Sequence, residues 1–195
     1  MSDMKKLRIL FYKTPWKLKA KYWLNWLISA RTWSKYSHCE AWTAEEDKSI
    51  CWPPAFTAHF MPIGSLCSGL QVYGKCWTAT MRGDDNGTVV RDASGVLDHP
   101  ERWVYFEIEV EAERYDTCIE IMKMAVENNN GYSKWDCLKF VSPIHFPQND
   151  KYICSEFVIW ILWWAGISKV NGIVSPGYIY KMLTKMGYEA KELAQ

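Results

Sequence analysis

Apolar positions alternate in the first half of the chain and recur at helical spacing in the second. Residues 7–13 (LRILFYK) form an apolar run of strand length, closed by Thr14-Pro15. Residues 37–43 (SHCEAWT) alternate with a period of two. A turn at Glu45-Glu46-Asp47 and a return over 49–52 predict a hairpin that Pro53-Pro54 ends. A second hairpin is predicted from 70–81 and 88–91, which flank the turn Gly83-Asp84-Asp85-Asn86-Gly87. The clearest strand is 103–111 (WVYFEIEVE). It sets Val104, Phe106, Ile108 and Val110 on one face and Glu107, Glu109 and Glu111 on the other.

Helical spacing first appears over 17–30, where Trp23, Trp26, Leu27 and Ala30 share a face and Lys17, Lys19 and Lys21 crowd the first turns. A second helix is predicted from Ala112 towards Asn128. Its stripe is Tyr115, Cys118, Ile119, Met122 and Val126, and Asn128-Asn129-Asn130-Gly131 stops it. Residues 132–141 predict a short helix, and Ser142-Pro143 opens a loop through Asp150. A strongly apolar helix follows over 152–165 and ends at Gly166. Ser175-Pro176 supplies an N-cap and a first-turn proline for a last helix to Met186. The pattern predicts an α+β fold in one domain, 1–195, with strands early and helices late.

Composition narrows the class. The 195 residues are 49% hydrophobic and 23% charged, enough for a core and unlike a disordered or low-complexity chain. With 23 basic and 22 acidic residues the net charge is +1, so nucleic acid is not an expected partner. The apolar run after the charged start is too short for a signal peptide, and the most apolar stretch, 157–167, has about half the length of a membrane span. The expectation is a protein made in the cytoplasm without a signal peptide. The helix over Lys17–Ala30 is a candidate for membrane-surface contact, set against the alternative of a core helix with a charged end.

Seven cysteines (Cys39, Cys51, Cys67, Cys76, Cys118, Cys137 and Cys154) include no C-x-x-C pair, so zinc ribbons, thioredoxin-like sites and iron–sulfur patterns are disfavoured. Most read as reduced, buried thiols, and no metal or organic cofactor is expected. Cys154 stands apart. It begins the apolar helix, where free backbone N–H groups and the macrodipole favour a thiolate and would bind an oxyanion. A thiolate nucleophile needs a base, and His38, at the start of a strand, is the best held of the four histidines. Glu40 leaves the same strand face and would fix the tautomer of the imidazole. The structural alternatives are an inert buried thiol, a half-buried histidine and a solvated glutamate.

The motif Lys35-Tyr36-Ser37-His38-x-Glu40, followed more than a hundred residues later by Tyr152-x-Cys154-Ser155-Glu156, resembles the circularly permuted branch of the NlpC/P60 papain-like hydrolases. The likeness is nearest to small phage and bacterial proteins described as distant relatives of cell-wall-associated hydrolases, and the related YiiX-like amidases share the order in which the histidine strand precedes the cysteine helix. Gly131-Tyr132-x-x-Trp135 with Phe140, and Ser175-Pro176-x-x-Ile179-Tyr180, add to it. It covers roughly residues 5–52 and 103–183, and leaves 53–102 as an expected insertion. The resemblance implies an antiparallel sheet packed on a Cys-bearing helix, Cys154 as nucleophile, His38 as base and a third polar group, for which Glu40 is the choice. Tyr36, Glu156, Trp42 and Trp52 are the candidates for contacting substrate, Glu156 by gripping an amine.

The implied activity is cleavage of an amide bond, foremost in peptidoglycan stem peptides, by a phage-encoded protein carried in or with a virion and its tail proteins. Two other readings stay open. One is a lipid-directed thioesterase or acyltransferase, which the lysine-rich helix and the twelve tryptophans would suit. The other is a virion structural protein that keeps the fold with little activity.

Overall fold

A strand buried on both faces belongs in the middle of a sheet, and residues 7–12 are buried without a break. A computed structural model describes residues 3–14, 29–30, 32–43, 50–51, 71–72, 74–81, 84–97, 99–129, 131–133 and 151–193. There β1 (Met4–Lys13) lies between β2 (Tyr36–Thr43), which is buried along its whole length, and β7 (Trp103–Glu111). Next to β2 come β5 (Lys75–Thr80) and the edge strand β6 (Gly87–Asp92); beyond β7 lies the short β8 (Ala190–Glu192). The six-stranded sheet has the order β6-β5-β2-β1-β7-β8, and every neighbouring pair is antiparallel. Two-residue strands β3 (Ile50–Cys51) and β4 (Gln71–Val72) pair separately.

Four helices are present among the described residues: α1 (Ala93–Val96), α2 (Ala112–Glu127), α3 (Cys154–Trp164) and α4 (Pro176–Lys185). Helices α2, α3 and α4 cover one face of the sheet. There Leu7, Ile9, Phe11, Cys39, Phe106 and Ile108 meet Met122, Phe157, Val158, Ile161 and Leu183 in the main core. A smaller core on the other face gathers Leu10, Tyr12, Trp42, Cys76, Trp103 and Tyr105 under α1 and Leu193. The fold is α+β.

Several expectations are corrected. Strand β2 does not turn back onto 49–52, because β1 and β5 already occupy both its edges; Ile50–Cys51 pairs with Gln71–Val72 instead. The helix expected over 132–141 does not begin at Tyr132, which forms a parallel bridge with Tyr152, and Ser133 N–H donates to Tyr152 C=O at 3.2 Å. The same bridge holds Tyr152 extended, so α3 starts at Cys154. Trp163 and Trp164 at the end of the apolar helix stand exposed as an edge-to-face pair, while Trp160 stacks on Tyr152. Residues 75–92, within the segment read as an insertion, supply two strands of the main sheet. The helix expected over 17–30 lies outside the described residues except for Ser29 and Ala30, and Trp52 lies outside them too.

Two local devices position the rest. Between Tyr12 and Lys13 the β1–β2 register shifts, so Tyr12 opposes His38 but Lys13 opposes Tyr36. The extra residue, Ser37, is a bulge that turns Tyr36 onto the face of Cys39 and Ala41 while His38 and Glu40 keep the other. The second device ties the β5–β6 hairpin to the loop after α2. Asn129 Oδ1 accepts from Thr88 N–H and Gly131 N–H, both at 3.0 Å, and its Nδ2 donates to Asn86 C=O at 3.1 Å. Asn86 Oδ1 in turn accepts from Tyr132 N–H at 3.2 Å. Gly87 makes room for this: its φ is +114°, and a Cβ there would lie 1.7 Å from Asn129 Oδ1. Gly87→Ala is therefore expected to destabilise the fold by about 2–4 kcal/mol in urea unfolding. Because Asn129 is itself the obstacle, Gly87→Ala combined with Asn129→Ala should cost less than the sum of the two single changes.

Glu107 is the one inward-drawn member of the glutamate face of β7. Arg8 Nη2 reaches its Oε2 at 2.9 Å, and Lys6 and Lys191 reach Oε1 at 3.1 and 3.4 Å. Partial burial alone would raise its carboxyl; the hydrogen bonds from Lys6 and Arg8 and the nearby cationic charge prevail and hold it at about 2. A carboxyl depressed in the folded state contributes stability that is complete above the unfolded value and is lost as pH falls through the folded one. Denaturant titrations from pH 6 down to pH 2 should therefore show Glu107→Gln less stable near neutrality, with a flatter pH dependence below about 4.5. Parallel curves for the two proteins would contradict this.

Candidate active site

Strands β2 and β5 pair only from Ala41↔Trp77 to Thr43↔Lys75. Beyond Ala41 the ladder gives way to a side chain: the Thr78 hydroxyl donates to Cys39 C=O at 3.3 Å. On an antiparallel strand the N–H and C=O of one residue point to the same side, so the Cys39 amide also faces this opening. Helix α3 packs on β2 and β5 there and presents its first residue, Cys154. The residue before it, Ile153, is extended and its side chain gives the helix no cap.

Cys154 is buried and its thiol is held well below its ordinary value. The largest influence is a hydrogen bond from the Cys39 thiol. Burial opposes it, and the charge and hydrogen bond of His38 and the Cys39 backbone N–H add to the lowering. Cys39 moves the other way, raised well above its ordinary value first by burial and then by its bond to Cys154. The two sulfurs are thus pushed in opposite directions, Cys39 towards the thiol and Cys154 towards the thiolate.

His38 reaches Cys154 from the strand edge, and its Nε2 lies 2.9 Å from Glu40 Oε1. Glu40 has no exposed surface. The same Oε1 accepts from Arg91 Nη2 at 3.2 Å, and Arg91 Nη1 lies 3.6 Å from Asp85 Oδ2. Cys76 also abuts Glu40 and is raised, first by burial and then by the charge of Glu40. The edge of the Trp103 ring stands against His38 with centroids 6.4 Å apart. The structure therefore brings Cys154, His38 and Glu40 into one line, from a helix start through an imidazole to a carboxylate.

The four substrate-contact candidates are placed differently. Tyr36 lies in the main core, stacked on Tyr180 at 4.3 Å between centroids, with its phenol raised first by burial. Trp42 is fully buried on the opposite face, under Arg8 at 4.8 Å and against Tyr105. Neither offers a surface to a ligand in this arrangement. Glu156 lies two residues after Cys154 in the first turn of α3 and is half-buried. Sequence reasoning missed Cys39 and Arg91. Cys39 was legible in the alternation, since the residue between His38 and Glu40 must face the helix side. Arg91 was not, because its approach depends on β6 lying two strands from β2.

Among the described residues, no group of three or more His, Cys, Asp or Glu is placed to hold a metal ion, and no helix is long and apolar enough to cross a membrane. The chain matches no protein-family model and no curated protein.

The Cys39–Cys154 pair gives a direct test. Iodoacetamide labelling followed by peptide mapping should find Cys154 alkylated faster than Cys39, Cys76 and Cys118 at pH 7, with a rate that persists as pH falls below the ordinary thiol range. Cys39→Ala, which removes the strongest hydrogen bond, should move the midpoint of that profile upward by about one unit or more. Equal labelling of all four, or a midpoint near 9, would show that Cys154 is an ordinary thiol.

Proposed function

We propose that this protein is a thiol-dependent amide hydrolase of the permuted NlpC/P60 papain-like type, acting on peptide bonds of peptidoglycan stems. The observation that carries the reading is the convergence of a depressed thiol at a helix start, a histidine reaching it, and a buried carboxylate 2.9 Å from the far nitrogen of that histidine. With Nε2 committed to Glu40, Nδ1 is the nitrogen left to serve Cys154. The order of histidine strand before cysteine helix, and the antiparallel sheet that carries them, accord with the permuted family.

The chemistry then runs in two halves. The Cys154 thiolate attacks the carbonyl carbon, and the first-turn N–H groups of α3 receive the negative oxygen. His38, protonated and steadied by Glu40, gives its proton to the departing amine as the carbon–nitrogen bond breaks. Water enters, loses a proton to His38 and attacks the thioester. Collapse of the second tetrahedral species returns the thiol and releases the acid. Glu156, in the first turn of α3, is the residue proposed to take a positively charged amine of the substrate, which suits stem peptides with free amino groups. In this reading the protein reaches its wall substrate with a virion.

Purified peptidoglycan incubated with the protein should release new amino termini, scored by amine derivatisation and mass spectrometry. Cys154→Ala and His38→Ala should each lower turnover by at least about a thousandfold, and Glu40→Gln by about ten- to a hundredfold. Fatty acid released from acyl esters or thioesters in place of amines would redirect the assignment to lipids. Turnover unaffected by Cys154→Ala would sink it.

A further inference from the structure

Two nitrogens address one oxygen of Glu40, His38 Nε2 at 2.9 Å and Arg91 Nη2 at 3.2 Å. Resting on the hydrolase reading above, we infer that Arg91 is a positioning residue of the site: its guanidinium, anchored outward by Asp85, keeps the buried Glu40 carboxylate charged and aimed at His38, and so sets how readily the His38–Cys154 pair ionises.

The placement follows from register. Trp42 on β2 opposes Cys76 on β5, and Cys76 opposes Arg91 on β6, so the three lie in one row across the sheet. Glu40 shares the face of Trp42 two residues along, and Arg91 crosses β5 to reach it. The two ends of Arg91 are used differently: Nη2 meets Glu40, and Nη1 faces Asp85 just before the strand at 3.6 Å. A planar fork with two addressed nitrogens has a defined orientation that a single ammonium lacks. Glu40 has no exposure while the Arg91 side chain keeps 29%, so the guanidinium stands between the carboxylate and solvent.

Among the described residues, the charged and titratable groups around this carboxylate come from β2 itself and from β5, β6 and β1. Its own strand contributes His38, and Cys39 on the reverse face. From β5 comes Cys76, a thiol raised by burial, and from β6 comes Arg91. From β1, Tyr12 opposes His38 with its hydroxyl accepting from Arg102, while Arg8 is turned to Glu107. Among these described groups, Arg91 is a permanent cation in contact with Glu40. The direction of its effect on Cys154 does not depend on how Glu40 responds to its loss. If the buried carboxylate takes up a proton, it stops stabilising the imidazolium and the thiolate loses its cation. If it stays ionised, the site has one positive charge fewer, and a second anion beside the first is disfavoured. Both raise the pH at which Cys154 becomes a thiolate.

The test is the pH profile of Cys154 alkylation by iodoacetamide in the full chain, with peptidoglycan turnover measured alongside. Arg91→Met should raise the acid midpoint of the profile by about one pH unit and lower turnover at pH 6 by about tenfold, while Arg91→Lys should recover at least half of the shift. Asp85→Asn, a surface change that loosens the outer anchor alone, should shift the midpoint in the same direction by less; it keeps the idea testable even if Arg91→Met folds poorly. An Arg91→Met profile that overlies the wild type, or an Arg91→Lys profile that overlies Arg91→Met, would overturn the role of Arg91 while leaving the nucleophile assignment intact. A wild-type Cys154 with no activated midpoint at all would overturn both.

Discussion

A carboxylate without exposed surface in the middle of a sheet is tolerable only beside compensating charge, and much of this molecule is arranged around that requirement at Glu40. One partner, His38, comes from its own strand; the other, Arg91, comes from two strands away. The second partner ties the β5–β6 hairpin to the carboxylate of β2. That hairpin is held in turn by the Asn86–Asn129 bracket, whose other end fixes Tyr132. Tyr132 bridges Tyr152, and two residues later α3 begins with Cys154. A single interlock thus steadies the approach of Arg91 to the carboxylate and the start of the cysteine helix.

How much of this was legible in the sequence depends on the range of the interaction. The strand over 103–111 and the caps of α4 were readable because alternation and a Ser-Pro pair are local signals; Ser175 indeed accepts from Tyr178 N–H. The placement of Cys154 at a helix start and the shared face of His38 and Glu40 were readable for the same reason, since both follow from period and position along one element. The partner of 49–52 was not, because the question is which strand occupies the edges of β2, and the competing strands lie far away in sequence. The fate of Tyr36 was hidden by the bulge at Ser37: strict alternation puts it beside His38, and one extra residue sends it into the opposite core. Arg91 was hidden because its role is defined by a row across three strands. Its neighbours in sequence look like an ordinary surface hairpin.

The one-residue spacing of His38, Cys39 and Glu40 assigns opposite tasks to the two faces of a single strand. The imidazole and carboxylate occupy one face, and the thiol that donates to Cys154 occupies the other. Both can reach the same sulfur only if that sulfur approaches the edge of the strand rather than either face. The edge is open because the β2–β5 ladder stops at Ala41. Were it to continue toward His38, the Cys39 N–H would be spent on a carbonyl of β5, as any strand amide normally is. The Thr78 hydroxyl bonded to Cys39 C=O satisfies that residue's carbonyl without closing the gap. A shortened ladder, ordinarily a weakness in a sheet, here leaves a strand amide to the Cys154 sulfur. Three groups then stabilise the sulfur from separate directions: the Cys39 thiol, the Cys39 amide and the His38 imidazole. Burial works against that anion throughout. Against burial stand the donors gathered at the strand edge, the Cys39 thiol first among them, and together they lower the Cys154 thiol.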